Sequence, residues 1–284
     1  MRLLNAEEFV AGTIHFESFQ NDIPDYAIFS HTWNENHGDE IFYQEMLNFN
    51  NGLMVRPGYQ KIANLCTQAT HVGFRYVWID TCCIDKTNLN EMSMSLNSMF
   101  QWYRNAQVCY AFLSDVPSND DAHHKDSHFR KCRWFTRGWT LQELVAPLHV
   151  TFFGADWKEI GTKSSLRDVI SDITGMPSNV LLFNHPGEIS VAQRMSWAAG
   201  RKTSRVEDQA YCLLGLFGVS MPTIYGEGEN AFIRLQLEIM KTSDDQSIFA
   251  WAAEDGQMRR GLLATSPSNF AHCREIDIID MIRV

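Results

Sequence analysis

Apolar and polar positions follow two periods along this chain. Residues 26–33, YAIFSHTW, begin as an apolar run and end in polar residues, which predicts a short strand with a polar exit. Residues 75–84, RYVWIDTCCI, are nearly continuous in apolar character, as expected of a strand buried on both faces. Residues 108–113, VCYAFL, and 149–154, HVTFFG, predict two more strands. Between them the spacing becomes helical. Tyr59, Ile62, Ala63, Cys66 and Ala69 form one stripe, and Met92, Leu96, Met99, Phe100 and Tyr103 form another. Asn88 and Glu91 stand at cap and third-position spacing ahead of the second stripe. Strand and helix in alternation predict an α/β fold with a mostly parallel sheet and helices on both faces. From residue 190 the pattern is mainly helical, in SVAQRMSWAAGR, RVEDQAYCLLGLFGV and GEGENAFIRLQLEIMK, with a strand-like SIFAWA at 247–252. Nothing resembling a linker divides the chain. The expected organisation is one unit over 1–284, an α/β core at 1–160 with a mainly helical extension at 161–284.

Composition narrows the function classes. The chain has 284 residues, with 24 basic against 34 acidic side chains and a formal net charge of −10. Nucleic-acid binding needs a basic field, so it is not the expected function. No apolar run approaches the ~18 residues of a membrane span, and MRLLNAEEFV lacks the apolar core of a signal peptide. The seven cysteines are odd in number, and Cys82 and Cys83 sit side by side in an apolar run. Buried, reduced thiols in a cytoplasmic protein fit this better than a disulfide framework. The C-terminal REIDIIDMIRV has no tail-like character, which suggests the N-terminal part of something longer.

The chemistry gathers around RGWTLQEL at 137–144. Gly138 loosens a helix start, and Pro147 limits its length. Trp139 and Glu143, four apart, share one helix face. A helix carboxylate is ordinarily held by a structural partner, and that alternative stands beside ligand binding. Parallel sheets bind ligands at the carboxyl ends of their strands. The exits there are SHTW at 30–33 and DTCCIDK at 80–86. Ser30, His31 and Trp33 either close the first strand or contact a ligand. Asp80 either contacts it too, or caps the next helix and pairs with Lys86. His124, His128 and Cys132 fall at four-residue steps, but PSNDDAHHKDSH is a polar loop and no fourth ligand is apparent, so no metal is expected. YGEG at 225–228 reads as a turn, and RKTSRVED at 201–208 as a salt-bridged junction whose arginines could instead reach a ligand.

Six blocks in order, YAIFSHTW, YVWIDTCCIDK, LNSMFQWYRNAQVCYAFLSDV, RWFTRGWTLQELVAP, RMSWAAGRKTSRVEDQAYCLLGLFGV and MPTIYGEGENAFIRLQLEI, resemble the fungal heterokaryon-incompatibility (HET) domain. The resemblance runs over nearly the whole chain. It implies a module of non-self recognition and programmed cell death, often N-terminal to a nucleotide-binding receptor domain. The HET domain is in turn similar to the Toll/interleukin-receptor (TIR) domain, a flavodoxin-like fold. Some TIR domains cleave NAD with one helical glutamate, which in plant members follows a Trp-Cys-Leu-x-Glu-Leu pattern. WTLQEL at 139–144 has that spacing, with Thr140 in place of the cysteine. By this resemblance Glu143 takes the catalytic position, NAD is a substrate rather than a cofactor, and a homo-oligomer is the active state. Trp139 or Trp33 could stack on a flat ring and Arg137 could meet a diphosphate. The expected site is therefore Glu143 with Ser30, His31, Trp33, Asp80, Arg137 and Trp139.

Overall fold

The apolar runs become the centre of a single sheet. The computed structural model describes residues 1–34, 36–183, 189–253 and 261–278. Seven strands, β1 (Arg2–Asn5), β2 (Phe16–Ser18), β3 (Tyr26–His31), β4 (Tyr76–Trp78), β5 (Val108–Phe112), β6 (Val150–Phe153) and β7 (Glu159–Thr162), pair in the order β2-β1-β4-β3-β5-β6-β7. β4, β3, β5 and β6 run parallel, while β1, β2 and β7 add antiparallel edges. All six residues of β3 are buried, which explains its unbroken apolar start.

Counted along the chain, the parallel strands stand in the order second, first, third, fourth. The chain therefore reverses its winding between β3 and β5. The crossover helices Pro57–Val72 and Leu89–Asn105 consequently lie on opposite faces, since such crossovers are right-handed. A crevice opens at the carboxyl ends of the strands where winding reverses. Ser30 and His31 stand at that point, at the end of β3.

The parallel sheet agrees with the alternation of periods, but three segments differ. In 75–84 only Tyr76–Trp78 is strand; beyond it the chain turns, with Cys83 N–H donating to the Ile79 carbonyl at 2.8 Å. The apolar run there reflects burial of Cys82 and Cys83 as free thiols rather than extended pairing. SIFAWA is not a strand. Asp245 accepts from Ser247 N–H and starts a 3-10 turn over Gln246–Phe249. The single helix expected in RVEDQAYCLLGLFGV divides into Asp208–Tyr211 and Leu214–Phe217, ended by Gly218 at a φ of 67°. Among the described residues no helix is long and apolar enough to cross a membrane.

Gly58, in the first turn of the helix Pro57–Val72, sets how closely the segment after β3 can approach. A Cβ there would lie 2.5 Å from the Asp39 carbonyl oxygen and 2.7 Å from Glu40 Cα. The glycine lets the backbone at 39–41 pack directly on the helix and so bury Glu40. Gly58→Ala should cost about 1–3 kcal/mol through overpacking. A lower urea midpoint at unchanged slope would register it. Wild-type stability in that variant would mean that the backbone at 39–41 yields freely.

Candidate functional site

Glu143 reaches the site from a helix of six residues, Thr140–Val145, all of them buried. Buried on every side, this helix cannot present the alternation of wet and dry faces that marks a surface helix. It is anchored at its start. The Thr140 hydroxyl donates to the Trp134 carbonyl, and Arg201 donates to the Arg137 carbonyl at 2.9 Å and to Thr140 Oγ1 at 3.0 Å. Lys202 N–H donates to the Thr136 carbonyl at 2.7 Å, and Gly138 N–H to the Lys202 carbonyl at 2.9 Å. Gly138 is needed for that approach, since a Cβ would stand 2.4 Å from Thr203 Cγ2. The segment RKTSRVED thus joins the two parts of the chain mainly through main-chain hydrogen bonds, not through the salt bridges expected of it. Burial also lowers the Arg201 pKa to about 10, because the guanidinium has left water for carbonyl partners.

A cleft of about 540 Å³ opens at this edge of the sheet. Of the expected residues, His31, Trp33, Asp80, Arg137, Trp139 and Glu143 line it. Ser30 lies beneath, fully buried, and its hydroxyl donates to Glu143 Oε2 while accepting from Trp134 Nε1 at 2.7 Å. The Glu143 side chain forms no ion pair among the described residues. Burial pushes its carboxyl up to about 8; the Ser30 hydrogen bond opposes this, Asp80 adds to it, and Arg137 and Arg201 oppose it from further away. Near neutral pH the site therefore holds a largely protonated glutamate.

Beside it runs a chain of polar and ionisable side chains. Trp33 Nε1 donates to Asp80 Oδ2 at 2.8 Å, and Lys86 Nζ lies 3.9 Å from that same oxygen. Lys86 Nζ also sits 3.6 Å from the Trp33 ring centre. One face of Trp33 is thus covered by a cation and its N–H is engaged. For stacking on a ligand ring Trp33 offers at most its other face, and Trp139 also lines the cleft. Burial draws the Lys86 ammonium down to about 8. On the other side of Asp80, His31 Nδ1 lies 3.9 Å from Asp80 Oδ1, and His31 Nε2 lies 3.7 Å from Glu40 Oε2. Burial alone would raise the Glu40 carboxyl. Contacts with His31 and with Lys61 Nζ at 2.7 Å override it and hold the group well below the usual carboxylate range.

The opposite wall comes from the C-terminal part, through Ser204, Arg205, Asp208 and Tyr225. Tyr225 donates to Asp208 Oδ1 at 2.9 Å, and Asp208 also interacts with Trp139. Burial raises the Asp208 carboxyl in spite of those bonds. YGEG does form a turn, with Gly226 and Gly228 N–H groups donating to Glu207 Oε1 at 2.8 and 3.1 Å. The sequence offered the residues of this wall as a junction, whose arginines could instead reach a ligand, and as a turn; nothing in their spacing ties them to Glu143. His124, His128 and Cys132 do not share a helix face, since the local helix covers only His128–Lys131.

Comparison with known proteins adds identity to this geometry. The model of the heterokaryon incompatibility protein (HET) family matches residues 26–121, from β3 through the loop after β5. A domain of unknown function matches residues 230–261. The vegetative incompatibility protein HET-E-1 of Podospora anserina is 46% identical over 225 residues, which cover 77% of this chain and 16% of that protein. A stretch of that length must span the middle of this chain, Glu143 included. No solved structure matches the chain. The strands that open the cleft and the long similarity to an incompatibility protein agree: the chain belongs to the heterokaryon incompatibility (HET) family.

Proposed function

We propose that this chain is a cell-death effector module of non-self recognition that hydrolyses NAD at the bond between nicotinamide and ribose. The observation that carries this reading is the Glu143 carboxyl, held by Ser30 at the floor of a cleft at the winding reversal. Among the described residues it has no ion pair that would explain it as a structural group. In NAD the leaving pyridine ring already carries positive charge, so it departs with little acid help. What remains is to stabilise an oxocarbenium-like ribose, and one ionised carboxylate can do that. The cationic ring entering the cleft favours the ionised form of Glu143, so substrate binding itself arms the residue. Trp139 supplies a flat apolar face for a ring. The cleft volume lies within the range of small-molecule sites. The link to cell death rests on family membership and on the name of the relative, of whose length this chain spans 16%.

A second reading, a non-enzymatic module that recruits death effectors on assembly, draws on exposed apolar side chains. Leu47, Met54 and Val55 are 54%, 44% and 83% exposed within one stretch. The same patch suits self-association of an enzyme. NAD depletion gated by assembly would keep a dilute chain silent. Specific activity should therefore climb with protein concentration or forced clustering; a flat profile across a verified change of assembly state would exclude gating.

Glu143→Gln keeps the hydrogen bond to Ser30 but cannot ionise. Nicotinamide release should fall about a hundredfold, on the order of 3 kcal/mol in barrier. Stability should move the other way. A carboxyl whose folded pKa is raised favours the fold most below its unfolded pKa, and that contribution disappears as pH rises through about 8. The variant should thus melt at or above the wild-type temperature at pH 9. Equal NAD cleavage by both proteins would end the catalytic assignment, and retained killing by an inactive variant would favour recruitment.

The same titration predicts the rate profile. Because the ionised form is the active one, kcat/KM should rise about tenfold per pH unit in the acid limb and level off near pH 8, where the free-protein carboxyl titrates. The kcat profile should break at lower pH, since bound substrate stabilises the carboxylate. A kcat/KM that falls through this range would assign Glu143 as an acid instead.

A further inference from the structure

Two arginines stand on the rim of the cleft, and among the described residues neither guanidinium belongs to an ion pair within 4.0 Å. Arg137 approaches Ser204 Oγ with both terminal nitrogens, each at 3.4 Å, a loose contact, and it acts on Glu143 only from further away. Arg205, next in the chain after Ser204, lies over the Tyr225 ring with its guanidinium carbon 4.3 Å from the centre. Stacking fixes the plane of that group while leaving its N–H edge open. A third cation of the cleft, Lys86, is answered by Asp80. The nearby acids Glu207 and Asp208 act on Arg205 without an ion pair, since Glu207 accepts from the Gly226 and Gly228 N–H groups and Asp208 from Tyr225.

We propose that Arg137 and Arg205, with Ser204 beside them in the cleft lining, form an anion subsite that takes the diphosphate of a dinucleotide. This rests on the reading of the cleft as a nucleotide site, and it goes further by giving the C-terminal part a direct share in substrate binding. Guanidinium forks match phosphate oxygens in pairs, and two of them side by side match two linked phosphates. The ligand class is then a nucleoside diphosphate derivative, in which the charge lies at the rim and the sugar reaches the floor. An uncharged nucleoside would leave the rim unused. Arg205 becomes a specificity residue contributed from outside the strand and turn that carry Ser30, His31 and Asp80.

Calorimetric titration of ADP-ribose, adenosine and inorganic pyrophosphate into the whole chain tests this without requiring turnover. ADP-ribose should bind at least tenfold more tightly than adenosine. Arg137→Gln and Arg205→Gln should each weaken ADP-ribose about tenfold, the equivalent of about 1.4 kcal/mol, and leave adenosine unchanged. Arg205→Lys should retain part of the gain, because charge survives while the fork is lost. Arg205 is exposed, so its variants should fold, and matching melting curves verify it. ADP-ribose affinity untouched by both glutamine substitutions would overturn the subsite, as would equal binding of adenosine or no binding of ADP-ribose. Pyrophosphate binding as tight as ADP-ribose would overturn the dinucleotide assignment. Arginine-dependent ADP-ribose binding in a chain that releases no nicotinamide from NAD would sink the hydrolase reading and leave the subsite standing.

Discussion

The bond from the Ser30 hydroxyl to the Glu143 carboxyl joins the end of the first parallel strand to the helix before the fourth. Nearly everything at the site depends on it. A carboxyl removed from water must find a cation, accept several hydrogen bonds or keep its proton. Here it finds Ser30, itself oriented by Trp134 Nε1, with the Tyr103 hydroxyl close by, and the proton remains. A buried ion pair would have fixed the charge of Glu143 permanently. Neutral hydrogen bonds leave its ionisation state open to change.

That arrangement requires both parts of the chain. The strand β3 and the turn after β4 supply Ser30, His31 and Asp80, and the C-terminal part supplies the facing wall of the cleft. The C-terminal segment at 202–205 is drawn against 136–138 by main-chain bonds that Gly138 makes possible. Arg201 then secures the start of the Glu143 helix from the same segment. Closing the cleft removes water, and lower local polarity strengthens every charge within it. The wall that encloses the carboxyl is also the wall that brings the second rim arginine.

Much of the sheet was legible because burial and extension coincide in it. Residues 26–31, 108–112 and 150–153 read as strands and are strands. Where burial comes without extension, the reading overshoots. Cys82 and Cys83 are as apolar in setting as the strand before them, yet they lie in turns. β1, β2 and β7 are strands of three or four residues at the two sides of the sheet, too short to establish a period of two. At the site, spacing brought Trp139 and Glu143 together, and polar strand exits singled out Ser30, His31, Trp33 and Asp80. Tertiary contact alone joins Arg205 and Tyr225 to them, from far beyond Glu143 in the chain. The commitment of Trp33 to Asp80 and Lys86 is likewise a contact no local pattern encodes.

An acidic chain that takes a polyanion must separate its charges. Long-range attraction is weak when net charge is −10, and at physiological salt it fades within about 8 Å. Recognition then falls to the immediate field inside the cleft. There the acids are quenched in different ways. Asp80 is answered by Lys86, Glu40 by Lys61, Asp208 by a tyrosine hydroxyl, and Glu143 by its own proton. Asp85, also at the cleft, is held by Gln44 and Thr87, and the cleft's guanidinium groups, outside any ion pair among the described residues, sit at the rim. On the proposed reading, an entering dinucleotide would meet the rim arginines first and the carboxyl last, and the carboxyl would gain its charge only as the cationic ring arrives.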